Sequence, residues 1–131
     1  MAKSIPRPTD AELAILRVLW KQAPCTVRQV HDVLSRGRSL AYTTTLKLLQ
    51  IMTDKGLALR EELGRQHVYR ARLAEEETQR RLVRDLLKRA FGGSTSKLVM
   101  QALATTPASP GELRKIRRLL AAVKEKEKDD A

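Results

Sequence analysis

Near residue 57 the spacing of apolar side chains changes from helical to alternating, and the segments on both sides are short and sharply bounded. Upstream, Thr9 and Glu12 have capping-box spacing, in which each side chain satisfies a free backbone N–H of the first helical turn. Leu13, Leu16, Leu19 and Trp20 follow at helical spacing, and Pro24 stands just past the end. Thr26 with Gln29 opens a second helix, whose stripe is Val27, Val30, Val33 and Leu34 and whose stop is Gly37. A third runs from Ala41 to Lys55, with Leu46, Leu49 and Met52 on one side and Gly56 as a left-handed terminator. Downstream, Leu57, Leu59, Glu61 and Leu63 alternate, Gly64-Arg65 turns, and His67, Tyr69 and Ala71 alternate again. A two-stranded hairpin is marginal alone, so it must lean on the helices before it. Three short helices and a hairpin make a winged helix-turn-helix, expected over residues 9–73 behind an extended N-terminal arm. The fold class is mainly α with a small β-hairpin.

The remainder, residues 75–126, is expected to be helical. Leu82, Val83, Leu86, Leu87, Ala90 and Phe91 mark a fourth helix closed by Gly92-Gly93, and Leu98, Val99, Ala102 and Leu103 a fifth. Ser109 with Glu112, and Pro110 at the first helical position, start a sixth that carries Leu113, Ile116, Leu119, Leu120 and Val123. Beyond it lies a charged tail, Lys124–Ala131, in which Asp129 and Asp130 are expected to fray. These helices hold too little apolar bulk to offset the entropy of ordering them. They need a partner, and the economical one is the same region of a second chain. Leu86, Leu87, Phe91, Leu98, Leu103, Ile116, Leu119 and Leu120 are the candidate homodimer contacts. The alternative is packing against the chain's own winged domain.

Lys and Arg outnumber Asp and Glu by 26 to 15, a net charge of +11 that points to a polyanionic partner. The excess is densest in residues 1–74, with 13 basic and 6 acidic side chains. The third helix is then a candidate DNA-reading helix. Its first turn, Tyr42-Thr43-Thr44-Thr45, sets hydroxyls where such a helix meets base edges and phosphates. Helical spacing puts Thr43 and Lys47 on one outward face, flanked by Thr44 and Gln50. The wing supplies Arg60, Arg65, Gln66 and Arg70, with Arg65 at its tip. Arg28 and Arg38 are candidate phosphate clamps, and Arg28 opposes the dipole of its own helix, which favours an outside anion. Tyr69 is expected to pack the wing onto the helices, His31 to lie half-buried on its helix, and His67 to belong to the hairpin.

Other chemistry is absent from the pattern. Two histidines and one cysteine do not make a metal site at zinc-finger or metalloprotease spacing. There is no Gly-rich phosphate loop and no nucleophile elbow, so neither an enzyme nor a cofactor is expected. Cys25 alone forms no intrachain disulfide and is expected to be a small buried apolar group. No apolar run approaches the roughly 18 residues that span a bilayer, and the Met-Ala-Lys-Ser-Ile-Pro start lacks the apolar core of a signal peptide. No membrane insertion and a cytoplasmic location are the expectation.

In this order and spacing the segments resemble the penicillinase and methicillin-resistance repressors, the BlaI/MecI/CopY family. The strings that carry the resemblance begin with Asp10-Ala11-Glu12-Leu13, Val18-Leu19-Trp20, Thr26-Val27-Arg28-Gln29-Val30-His31 and Leu40-Ala41-Tyr42-Thr43-Thr44. Lys55-Gly56-Leu57, Gly64-Arg65 with His67-Val68-Tyr69, and Phe91-Gly92-Gly93-Ser94 complete them. The resemblance implies a dimer whose C-terminal helices hold two winged domains over a palindromic DNA operator, repressing genes of antibiotic resistance or metal handling. It implies that Tyr42, Thr43 and Thr44 open the DNA-reading helix and that Arg65 sits in the wing. The β-lactam branch of this family is released by a membrane-bound sensor protease that cuts an Asn–Phe bond. The matching bond here is Gln101–Ala102, the candidate cleavage site. The copper branch carries a C-terminal cysteine cluster that this chain lacks, and Ile51 stands where members often carry a basic residue. A competing expectation is a winged module for protein contacts or for non-specific architectural DNA binding.

Overall fold

The computed structural model describes residues 5–130; residues 1–4 of the expected arm and Ala131 of the tail lie outside them. Three helices come first: α1 (Asp10–Gln22), α2 (Val27–Leu34) and α3 (Tyr42–Lys55). A hairpin of β1 (Ala58–Leu63) and β2 (Gln66–Ala71) follows, then α4 (Glu75–Phe91), α5 (Thr95–Thr105) and α6 (Pro110–Asp130). The last helix thus continues past residue 126, through the acidic end expected to fray. The chain divides into two compact units between Val83 and Arg84, inside α4.

Local chemistry sets the helix ends. All three anticipated capping boxes form. Thr9 Oγ1 accepts from the Glu12 N–H at 3.2 Å and Glu12 Oε1 from the Thr9 N–H at 2.9 Å. Thr26 pairs with Gln29, and Ser109 with Glu112, in the same reciprocal way. Each such cap contributes roughly 1 kcal/mol by satisfying donors that a helix start leaves open. Gly56 ends α3 at φ 84°, a left-handed turn that lets the Leu57 N–H reach back to the Met52 carbonyl at 2.8 Å. Ser94 caps α5 by accepting from the Lys97 N–H, a cap that the sequence spacing had not singled out.

The first unit is a winged helix-turn-helix. Ile15, Leu16 and Leu19 of α1, Val30 of α2, and Leu49 and Met52 of α3 meet in one core with Leu57, just before β1, and Ala58 and Tyr69 of the hairpin. Burying each large apolar side chain contributes roughly 1.5–3 kcal/mol. The strands pair antiparallel from Ala58↔Ala71 to Leu63↔Gln66. Gly64 at φ 64° supplies the left-handed residue that the first central position of a tight turn demands. Cys25 and Tyr69 exchange two backbone hydrogen bonds, of 3.0 and 2.7 Å, so an isolated antiparallel bridge ties the α1–α2 turn to β2. Cys25 is buried there as expected, and burial pushes its thiol pKa up. Trp20 Nε1 donates to the Leu73 carbonyl at 3.0 Å, which fastens the end of the wing to α1.

Glu12 has a second partner that local spacing did not reveal. Lys55, at the end of α3, donates to both carboxylate oxygens, at 3.2 and 2.9 Å, while the Glu12 side chain is only 2% exposed. Burial acts to raise the Glu12 pKa, but the Thr9 N–H and Lys55 outweigh it and hold the carboxyl below its ordinary value. A carboxyl depressed in the folded state stabilises the fold above its unfolded pKa, and loses that contribution as pH falls through the folded value. Glu12→Gln keeps the capping geometry but removes the charge. It should lower stability by about 1.5–3 kcal/mol at pH 7, and the difference should shrink towards zero well below pH 4.5. Urea midpoints at pH 7 and pH 3 measure this, and an equal difference at both would show that the charge does not contribute.

The second unit has a different character. Asp85 and Arg89 form a one-turn ion pair along α4, worth a few tenths of a kcal/mol, as do Glu77 with Arg80 and Arg81 on the first unit's side of the boundary. From Arg84 to Asp129, however, no side chain is buried. Met100, Leu119, Leu120 and Val123 are each more than half exposed.

Candidate nucleic-acid interface

α2 and α3 form the helix pair of the first unit, and the face of α3 turned away from the core is polar. Thr43, Thr44, Lys47 and Gln50 are all exposed, opposite the buried stripe of Leu49 and Met52. The first turn of α3 contains no acidic residue and Ala41 supplies no side-chain cap, so the positive end of the helix dipole is uncompensated within the chain. Arg38, just before α3, and Arg60 and Arg65 of the wing are exposed too. Among the described residues, Lys47, Arg38, Arg60 and Arg65 have no hydrogen-bond or ion-pair partner, whereas Arg70 is held by Glu61 at 3.0 Å.

Two sequence-based expectations change here. Thr45 does not join the outward hydroxyls. It is fully buried, and its Oγ1 lies 2.9 Å from His31 Nδ1. The reason is period: Thr45 stands four residues before Leu49 and shares its inward stripe. Arg28 does not wait for an outside anion alone, because its guanidinium lies over the Tyr42 ring, 4.6 Å from the centroid. His31 also meets that ring, edge-on at 5.4 Å and 77°. His31 therefore packs between Thr45 and Tyr42, which its sequence position alone did not suggest. The signal was two pairs at i, i+3 spacing, Arg28 with His31 and Tyr42 with Thr45, but their facing each other is a tertiary fact.

Tyr69 packs the root of the wing, as expected, but the alternation of β1 does not extend burial along the strand. Leu59 and Leu63 are exposed while Ala58 is covered, because the two-residue period sets them on the face opposite Ala58 and its cross-strand neighbours Tyr69 and Ala71. In the second unit, Leu86, Leu103, Leu119 and Leu120 are exposed and Leu87, Phe91, Leu98 and Ile116 half-buried. Gln101 and Ala102 are exposed within α5. Among the described residues, no cluster of His, Cys, Asp or Glu is grouped to hold a metal ion, and no helix is long and apolar enough to cross a membrane.

Comparison with known proteins places this geometry. Residues 8–122 match the family model described as penicillinase repressor. The transcriptional regulator BlaI of Mycobacterium tuberculosis (strain ATCC 25618 / H37Rv) is 41% identical over 91 residues, which is 69% of this chain. That match spans 65% of the relative's length. The penicillinase repressor of Bacillus licheniformis is 25% identical over 127 residues, 97% of this chain and 99% of that one. Among solved structures, the solution structure of the DNA-binding domain of the repressor BlaI superposes with a TM-score of 0.51 at 29% identity. It covers 58% of this chain and 93% of that one. With a family match across most of its length and the winged unit in common, the chain belongs to the penicillinase repressor family.

Proposed function

We propose that this chain is a sequence-specific DNA-binding repressor that acts as a homodimer on a palindromic operator. The observation that carries the proposal is the face of α3: Thr43, Thr44, Lys47 and Gln50 lie open to solvent within a rim of unpaired cations. Such a face suits hydrogen bonding to base edges, and the rim suits phosphates. The homodimer is supported by the second unit, in which no apolar side chain among the described residues is fully buried within the chain. Two-fold symmetry of the protein would then be matched by two-fold symmetry of the operator. Its regulated genes are proposed to be of the antibiotic-resistance or related stress class, by analogy with the Bacillus licheniformis penicillinase repressor. Such a repressor works in the cytoplasm, alongside the duplex. Release by a membrane-bound sensor protease at Gln101–Ala102 would require α5 to open locally, because both residues lie inside the helix.

Selection from a random duplex library, followed by anisotropy titration at two salt concentrations, tests the proposal. The selected duplex should bind at least ~10³-fold more tightly than random sequence, and affinity should fall steeply as salt rises, through counterion release. Replacing Thr44 and Lys47 together with alanine should lower that discrimination by roughly 10- to 100-fold. Equal affinity for all sequences would instead identify a non-specific architectural binder, and no affinity a protein-contact module.

A further inference from the structure

We infer that Arg28 and Tyr42 form a single preassembled phosphate-binding unit, and that His31, anchored by Thr45, is the positioning residue that sets it; this rests on the DNA-binding role proposed above. The geometry starts from the buried end. Thr45 is fully buried, and its hydroxyl is hydrogen-bonded to His31 Nδ1 at 2.9 Å, which fixes the rotation of the imidazole. The imidazole in turn meets the Tyr42 ring edge-on, with centroids 5.4 Å apart. The ring is thereby held where the Arg28 guanidinium lies over it, 4.6 Å from its centroid. Two i, i+3 pairs, one on each helix, interlock.

The outward end is unfinished. A guanidinium over an aromatic face occupies its own face and leaves its N–H donors, which lie in its plane, free to take an oxyanion. Among the described residues no acceptor takes those donors. The first turns of α2 and α3 both lack an acidic residue, so both helix dipoles add positive potential where Arg28 meets Tyr42. A lone exposed arginine would lose side-chain freedom on gripping a phosphate. Here the ring has already restricted the guanidinium before DNA arrives, which is preorganisation. Tyr42 itself remains 37% exposed, so its edge is open to the same strand. The ligand that fits is one phosphodiester of duplex DNA.

The distinguishing consequence is that removing a neutral ring should look like removing a charge. The full chain, its selected duplex and a salt series provide the measurement. Arg28→Gln should lower the slope of log affinity against log salt by about 0.9, the signature of one lost phosphate contact. Tyr42→Leu, which changes no charge, should produce a comparable drop, and Tyr42→Phe should restore the slope. In a double-mutant cycle, Arg28→Gln and Tyr42→Leu should couple by roughly 3- to 30-fold rather than add. His31→Leu should reproduce the slope loss of Tyr42→Leu. Thermal melts check its fold, and the cycle at the two exposed residues stands independently of that variant. An additive cycle, or a Tyr42→Leu slope equal to wild type, would overturn the inference while leaving the repressor proposal standing. A wild-type chain that selects no duplex would bring down both.

Discussion

Aspartate at both Leu119 and Leu120 is expected to convert the proposed homodimer to monomers and to weaken the proposed operator binding by at least ~100-fold. The two leucines are 65% and 63% exposed on α6, and Ile116 and Val123 continue their stripe. An apolar face of this kind gains roughly 25 cal/mol for each Å² that a second copy covers. Burying an unpaired carboxylate in the same place costs several kcal/mol, so the sign of the assembly energy reverses. The DNA effect follows from linkage of two half-sites. In a dimer the second winged unit binds at an effective concentration of about millimolar, and a monomer forfeits that factor, on the order of 10²- to 10⁴-fold. Light scattering reads the assembly and anisotropy the affinity. The thermal melt of the winged unit should hardly move, because neither leucine is buried within the chain. A double variant that remains dimeric would place the interface elsewhere.

How much of this was visible in the sequence depended on the range of the interaction. Capping boxes join residues three apart, and Thr9–Glu12, Thr26–Gln29 and Ser109–Glu112 all form as their spacing implied. The hairpin was equally local, since the Gly64 turn fixes its register. What spacing could not reveal were contacts between elements distant in the chain. Glu12 was legible as a cap of α1, but Lys55, its ion-pair partner, lies 43 residues away. The Arg28–Tyr42–His31–Thr45 array was hidden for the same reason, although Thr45 could have been placed inward by its period with Leu49 and Met52. There residue type and helical phase disagree, and phase decides: Thr45 shares the inward stripe of Leu49 and Met52. The exposed Leu59 and Leu63 make the complementary case. Alternation marks a strand, but which of its two faces meets the helices is a tertiary fact, and here it is the face of Ala58, Tyr69 and Ala71.

Tyr69→Ala is expected to be the most destabilising single change in the winged unit, at about 3–5 kcal/mol. Tyr69 is 2% exposed and is among the largest fully buried side chains of the described residues. It sits where the hairpin meets the turn between α1 and α2, and its backbone carries both hydrogen bonds to Cys25. Those bonds survive truncation, so the loss is one of packing: an aromatic volume vacated beneath a sheet of two strands that cannot stand alone. Against a total stability on the order of 5–15 kcal/mol, the change removes roughly a third to a half at the middle of that range and more below it. Tyr69→Phe separates volume from polarity. The Tyr69 hydroxyl has no hydrogen-bond partner among the described residues, so its removal should cost less than about 1 kcal/mol. Because Arg60 and Arg65 ride on the same hairpin, Tyr69→Ala should also lower DNA affinity and flatten its salt dependence, whereas Tyr69→Phe should do neither. Urea denaturation at pH 7 and a salt series give both readouts. A Tyr69→Ala chain within 1 kcal/mol of the parent would mean that the wing is held by its backbone bonds rather than by the ring.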